Sequence, residues 1–196
     1  MTKRYSPKDL LEGGEEAEVQ TDASPWGTGG SLTVNGEIKE YFFDCLHPDD
    51  MKRFGYAVGD CAGQQCWESL SIMVALRLWG PTLQAMRYSI KVKSDSAVGL
   101  VMAGKLKARG PATNQIAREV AMDIGASLYE PRILEHTPGL ANTVPDSLSR
   151  LFEPKASKAH LPDACVRASH RQVPTRGPGD YVGSVLTRNP ARRKRK

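Results

Sequence analysis

The stretch 19-VQTDASPWGTGGSLTV-34 combines β-branched residues with a carboxylate and a glycine-rich turn. Strand-forming residues on either side of the turn predict two neighbouring strands, over residues 17–24 and 28–34. Asp22 lies within the first strand, where a buried carboxylate is costly unless it is paired or bound to a metal. The stretch therefore predicts the start of a sheet and requires partners for Asp22 elsewhere in the chain.

A hairpin extends this sheet by a third strand. Asn35–Gly36 is a typical two-residue hairpin turn, and residues 37–44, which follow it, are rich in Ile, Tyr and Phe. Residues 45–64 show no periodic pattern, and we interpret them as a long loop. Three antiparallel strands are therefore expected at the start of the fold.

Helices and strands then alternate along the chain. Apolar residues recur at helical spacing over 65–80, and Gly80–Pro81 is a typical helix stop. The elements predicted after it are a strand at 87–96, helices at 97–104 and 112–128, a strand at 130–138 and a helix at 143–152. The order β-β-β-α-β-α-α-β-α favours the α/β fold class, with one mixed five-stranded sheet flanked by helices.

Charge divides the chain into regions of different character. Residues 1–150 carry 16 Lys or Arg and 19 Asp or Glu, a net charge of −3, whereas residues 151–196 carry 11 and 3, a net charge of +8. We therefore expect a polar lead-in over 1–16, a folded domain over 17–152 and a basic, mostly disordered tail over 153–196. A basic tail favours a polyanionic partner such as nucleic acid, and a solvated tail without a partner is the ordinary alternative.

Composition also bounds the compartment. The sequence contains no apolar run near the roughly 20 residues that span a bilayer, and no secretory leader. The four cysteines, at positions 45, 61, 66 and 165, lack the spacing of a zinc site, so free thiols are expected. We predict an intracellular protein without a membrane partner, cytoplasmic or nuclear, since the terminal Arg-Lys run also suits a nuclear-localisation signal.

Four acidic residues share a position at the ends of predicted elements. Asp22 lies near the end of the first strand, Glu68 in the first turns of the long helix, Asp95 at the end of the fourth strand and Asp146 at the start of the last helix. Each alone also suits an ordinary role: a solvated side chain, a turn, or an acid at a helix N-terminus. Together they predict a carboxylate cluster, because neighbouring strand ends and a helix over them bring such side chains together.

A dense carboxylate cluster suits hard divalent cations. Mg²⁺ prefers oxygen ligands in an octahedron completed by water and phosphate. Two such ions about 4 Å apart activate a water and stabilise the leaving oxygen of a phosphodiester. Without a cation, repulsion among the carboxylates raises a pKa or opens the site. The cluster therefore predicts a site for phosphodiester chemistry.

Several motifs carry a resemblance to a known family. TDAS-x-WG-x-GG, the helical WES, the SDS after a strand and 136-HTPGLANTVPDSLSR-150 together resemble the RNase H domain of retrotransposon reverse transcriptases, nearest to gypsy-type and DIRS-type elements. The resemblance covers about residues 17–152, and the last block is its most specific part. It implies an RNase H-like fold in which Asp22, Glu68, Asp95 and Asp146 are the metal ligands. It also implies that His136 assists proton transfer or product release.

The resemblance implies a function as well. A member of this family cleaves the RNA strand of an RNA–DNA hybrid with two Mg²⁺ ions, for which Mn²⁺ can substitute, and acts beside a polymerase or integrase domain of the same retroelement. The chain departs from the family pattern at Pro145, where alanine is usual, although proline suits the first turn of a helix. It also lacks a polymerase Y-x-D-D motif.

Further residues are candidates for contact with nucleic acid. Ser24 and Ser96 flank the predicted carboxylate ligands and are candidates for bonds to the substrate backbone. Asn114 and Arg118 lie near the start of a predicted helix, where a plain solvated face is the ordinary alternative. In the tail, Arg192, Arg193, Lys194, Arg195 and Lys196 are candidates for phosphate contacts.

Two other functions are compatible with the same sequence. One is a catalytically inactive RNase H-like module that binds nucleic acid or a protein. The other is a transposition or integration enzyme, but such sites usually end in Glu rather than in the D-x-L-S-R block found here. Retention of all four acids favours the nuclease.

Overall fold

A six-stranded mixed sheet forms the centre of the fold in a computed structural model, which describes residues 16–85, 89–126, 128–129, 131–154, 160–174 and 176. Strands β1 (Glu16–Ala23), β2 (Gly27–Val34) and β3 (Glu37–Cys45) are consecutive and antiparallel. Strands β4 (Ser89–Ser94) and β5 (Pro131–His136) continue the sheet beyond β1, each parallel to its neighbour. The predicted α/β fold class, with three antiparallel strands first, is confirmed.

Among the described residues, five helices flank the sheet. They are α1 (Pro48–Phe54), α2 (Gln64–Ala85), α3 (Ala97–Lys105), α4 (Pro111–Gly125) and α5 (Thr143–Ser149). Helix α2 lies in the main core, where Trp67, Leu70 and Leu76 are fully buried. A second, smaller core on the other side of β3 contains Tyr41 and Leu148. None of the described helices combines the length and apolar character that a membrane span requires.

The interpretation of residues 45–64 as a loop is wrong, because they contain α1 and a 3₁₀ turn (Cys61–Gly63). Helix α1 has local start and stop signals: Pro48 in its first turn, a capping box between His47 and Asp50, and a left-handed Gly55 after its last residue. These signals define a helix of seven residues, which is too short to show apolar periodicity.

The predicted stop of the long helix at Gly80–Pro81 is also wrong. Helix α2 continues to Ala85 and carries Pro81 inside it. A Cβ atom at Gly80 would lie 2.5 Å from the Cβ of Tyr129, so the glycine is required for close packing. Leu83, only 3% exposed, continues the buried face beyond it. Burial of this last turn outweighs the local preference of glycine and proline for a helix end.

The structure describes residues 153–154, 160–174 and 176 of the tail, and the expectation that most of the tail is disordered stays a prediction. Strand β6 (Ser169–His170) pairs with β3 and makes the sheet six-stranded instead of five-stranded. Farther along, Arg176 is buried and donates to Asp50, Asp44 and the carbonyl of Cys45. The lead-in residues 1–15 and the cationic end 192–196 lie outside the described residues.

The strand directions gather one end of several elements at a single edge of the sheet. Strands β1, β3, β4 and β5 run in the same direction, so their carboxyl ends share this edge. Because Thr21 pairs with Ser94, the residues that follow them, Asp22 and Asp95, are neighbours there. The fold therefore places the predicted carboxylates at one edge of the sheet.

Candidate metal centre

Three of the four predicted carboxylates converge at this edge. Asp22, Glu68 and Asp95 each offer a ligand oxygen, and these oxygens lie within 4.8 Å of one another. Helix α2 is fixed over the strand ends by Ser71, whose hydroxyl donates to the carbonyl oxygen of Asp22 at 2.8 Å. The long helix therefore delivers Glu68 to the ends of β1 and β4.

Two oxygens of this cluster are buried without a hydrogen-bond partner among the described residues. They are Oε2 of Glu68 and Oδ1 of Asp95. Gly139 lies against Asp95, and a Cβ atom there would be 3.4 Å from Oδ2. A buried carboxylate oxygen without a donor is unfavourable unless a cation fills its place. The donor set, all carboxylate oxygen, fits a hard divalent cation.

The protonation chemistry of Glu68 and Asp22 is consistent with such a site. Burial, together with the charges of Asp22 and Asp95, raises the pKa of Glu68 well above its usual value. Burial is also the main cause that raises the pKa of Asp22 to about 7, and repulsion from Asp95 and Asp146 adds to it. The Ser149 hydroxyl opposes the shift by donating to Oδ2 of Asp22 at 2.6 Å. A cation would replace the protons that these carboxyl groups otherwise retain.

The fourth predicted ligand, Asp146, is near this cluster but outside the group of three. It lies in the first turn of α5, and its Oδ1 accepts from Nε of Arg150 at 2.7 Å. Its charge nevertheless contributes to the raised pKa of Asp22. A role for Asp146 in metal binding stays a prediction.

The predicted histidine lies beside the cluster. His136 ends β5, is exposed, and its Nε2 is 3.0 Å from the carbonyl oxygen of Asp95. A carbonyl can only accept, so Nε2 carries the proton and the other ring nitrogen is open to a proton or a ligand. The position suits the role expected from the resemblance, which stays a prediction.

Sequence reasoning missed three residues that support the cluster. Gln64 donates to Glu68 from one helical turn away, a spacing that could have revealed it. Ser149 lies inside the D-S-L-S-R block. Asn142 is fully buried and donates from Nδ2 to the carbonyl oxygen of Thr21 at 3.1 Å, a contact over 121 residues that local patterns cannot show.

The candidates for nucleic-acid contact are dispersed. Ser24 is buried, and its hydroxyl donates to the carbonyl oxygen of Ser149 at 2.7 Å. Ser96 caps α3 and accepts from the amide of Gly99. Asn114 and Arg118 lie on α4, and Arg118, exposed, lines a groove of about 340 Å³ between α4 and α1. None of these positions tests the predicted contacts.

Comparison with known proteins gives little beyond this geometry. No protein-family model and no curated protein matches the chain. Among solved structures, the chain is similar to RNase H1 from the halophilic archaeon Halobacterium salinarum NRC-1, with 16% identity and a TM-score of 0.45 over 68% of this chain and 93% of that one. A likeness of this size says nothing about activity.

Proposed function

We propose that the chain is a metal-dependent endoribonuclease that cleaves the RNA strand of RNA–DNA hybrids. The convergence of Asp22, Glu68 and Asp95, with ligand oxygens within 4.8 Å, is the observation that carries this proposal. Two buried oxygens without partners among the described residues, on Glu68 and Asp95, support a cation between them. An acidic group on the surface would not need such a partner, because water would solvate it.

Each residue has a role that its position supports. Asp22, Glu68 and Asp95 hold the first cation. Asp146 contributes to a second cation position on the solvent-exposed side of this cluster. When bound, two divalent cations activate water and stabilise the leaving oxygen of the phosphodiester. Asp146 can take part because its ion pair with Arg150 is half-exposed, and exposed pairs contribute at most about 1 kcal/mol. His136 accepts or delivers a proton at the ring nitrogen that does not face Asp95.

The motifs TDAS-x-WG-x-GG, WES, SDS and HTPGLANTVPDSLSR are the basis on which we propose the substrate class and the retroelement affiliation. Selectivity for a hybrid requires contacts to ribose 2′-hydroxyls on one strand.

The basic end of the chain is proposed to contact the phosphates, and the anchoring of Arg176 supports this. Ala23, Thr28 and Asp44 form one row across β1, β2 and β3, so Asp44 lies about 10 Å from Ala23. Arg176 contacts Asp44, so the last described residue of the tail lies against β3, two strands from β1.

The test is cleavage of a hybrid whose RNA strand is labelled, with Mg²⁺ or Mn²⁺ and with EDTA as the blank. Wild-type chain should yield RNA fragments with 3′-hydroxyl and 5′-phosphate ends and leave duplex DNA intact. Asp95→Asn should lower the rate at least about 100-fold, since it removes a ligand of the cation. Asp163→Asn, at an exposed acid outside the cluster, is the matched control and should cleave like wild type. Cleavage that persists in Asp95→Asn would refute the assignment.

One observation favours a second candidate, a catalytically inactive module that binds nucleic acid or a protein. The ion pair between Asp146 and Arg150 leaves only three carboxylates in the cluster among the described residues. If the chain binds hybrid but cleaves none with either metal, this module is the better description.

A further inference from the structure

The two most buried carboxylates of the cluster each have one oxygen held by a neutral donor. Nε2 of Gln64 donates to Oε1 of Glu68 at 2.7 Å. Oγ of Ser149 donates to Oδ2 of Asp22 at 2.6 Å. The two donors come from different elements, the first turn of α2 and the end of α5, so neither contact is a by-product of the other.

The amide group of Gln64 makes a second hydrogen bond, which fixes its orientation toward Glu68. The same amide nitrogen donates to the carbonyl oxygen of Ala23 at 2.5 Å, so it bridges the end of β1 and the helix that carries Glu68. With Oε1 held in this way, Oε2 of Glu68 is the oxygen that is buried and has no partner among the described residues.

Ser149 is anchored as firmly. It is fully buried, its carbonyl oxygen accepts from Ser24, and its hydroxyl also lies 3.0 Å from the carbonyl oxygen of Asp146. The shorter contact, to Asp22, orients that carboxyl group at the end of β1. Neutral donors suit this task, because a cationic side chain in the same place would compete with a metal ion for the carboxylate.

We propose that Gln64 and Ser149 are positioning residues that select which oxygen of Glu68 and which oxygen of Asp22 coordinate the cation. Glu68 coordinates through Oε2 and Asp22 through Oδ1, while the held oxygens stay with their donors. The inference rests on the proposed function, because it needs a cation between the carboxylates. Outer-sphere donors of this kind typically contribute about 10- to 100-fold to metal affinity.

The chain offers a matched control for each donor. Gln65 is the exposed neighbour of Gln64 at the start of α2. Ser147 lies on α5 like Ser149, and its hydroxyl donates to the carbonyl of Thr143, but it is exposed and away from Asp22. Gln64→Met and Gln65→Met thus make the same chemical change, as do Ser149→Ala and Ser147→Ala.

The experiment is calorimetric titration of Mn²⁺ into the full chain without substrate, followed by the Mg²⁺ dependence of hybrid cleavage. Gln64→Met and Ser149→Ala should each weaken Mn²⁺ binding about 10- to 100-fold, and the two controls by less than about twofold. Raised Mg²⁺ should restore most of kcat in both variants, with the KM for hybrid unchanged. Circular dichroism and urea unfolding establish whether each variant is folded. If one variant does not fold, the other still tests the inference through its own donor.

The outcomes separate the inference from the proposed function. If the wild-type chain binds Mn²⁺ and both folded variants bind it equally well, the positioning roles are refuted and the metal centre stands. If the wild-type chain binds no Mn²⁺ at all, the metal centre and the positioning roles fail together.

Discussion

Replacing Asp22 by asparagine should stabilise the metal-free chain at pH 8 while it removes metal binding. Asp22 is only 4% exposed and lies among other acids, so its negative charge is unfavourable in the folded state unless a cation is bound. Asparagine has nearly the same shape, its oxygen can still accept from Ser149, and its amide can donate to the neighbouring carboxylates. Charged groups that a protein gathers to bind a ligand often lower the stability of the fold when the ligand is not bound.

The magnitude follows from the pKa of Asp22, which burial above all raises from 3.8 to about 7. The folded state thus holds this proton more tightly than the unfolded state does. The stabilisation is fully present below about pH 4 and is lost as the pH rises through about 7. One pKa unit corresponds to about 1.4 kcal/mol, so the loss in wild type is at most about 4 kcal/mol. The asparagine side chain in the Asp22→Asn variant does not titrate, so the variant should escape this loss.

The assay is urea unfolding in EDTA at pH 5 and pH 8, followed by circular dichroism. The Asp22→Asn variant should exceed wild type in the free energy of unfolding at pH 8 by up to about 4 kcal/mol, and the difference should shrink toward pH 5. Asp163→Asn, an exposed acid, should show no such pH-dependent difference. Added Mg²⁺ should stabilise wild type and leave Asp22→Asn unchanged. A variant no more stable than wild type at pH 8, or an equal difference at both pH values, would refute the reasoning.

Three further predictions concern the fold and the cation. Arg176→Met should lower the free energy of unfolding by about 3–5 kcal/mol, because it removes the buried guanidinium that pairs with the fully buried carboxylate of Asp50. Arg171→Met, at a more exposed pair, should lower it by less than about 1 kcal/mol, and equal losses would contradict this. Gly29→Ala should lower the free energy of unfolding by about 1–3 kcal/mol, because the added Cβ atom would lie 2.6 Å from α5. Gly125→Ala, with open space around it, should leave that free energy unchanged or raise it slightly in the same assay. Calorimetry in buffers of different ionisation enthalpy should show more protons released on Mn²⁺ binding at pH 6 than at pH 8, and equal release would argue against raised pKa values in the site.

The convergence of the carboxylates could be anticipated because it depends on strand ends and one long helix. The strand predictions put Asp22 and Asp95 near strand ends, and the pairing of Thr21 with Ser94, which brings the two acids side by side, is a tertiary feature that they do not contain. The position of Glu68 depends also on how α2 lies across the sheet. Apolar periodicity shows which face of α2 is buried but not its direction over the strands. Gln64 lies one helical turn before Glu68, a spacing that permits their contact, whereas the contact of Ser149 with Asp22 joins residues 127 positions apart and depends on tertiary packing.

Two features of the described part of the tail could not be predicted from composition. Few apolar residues and many cations favour disorder over 153–196, and a strand of two residues such as β6 has no periodicity to detect. Arg176 is held instead by two carboxylates more than 120 residues away, Asp44 and Asp50. A single buried cation that neutralises two acids is a tertiary effect, so the local sequence cannot predict it.

Asp146 shows the limit of assigning a ligand set from a motif. On α5 it has two possible counter-charges: Arg150, four residues on, and a cation held by the other three acids. Nε of Arg150 donates to Asp146, and this bond partly compensates a fourth negative charge next to Asp22. A second cation at this side must therefore compete with Arg150 for the same carboxylate. On the proposed function, Arg150→Met should strengthen Mn²⁺ binding at the position beside Asp146. It removes that competitor and also a positive charge that acts on Asp22.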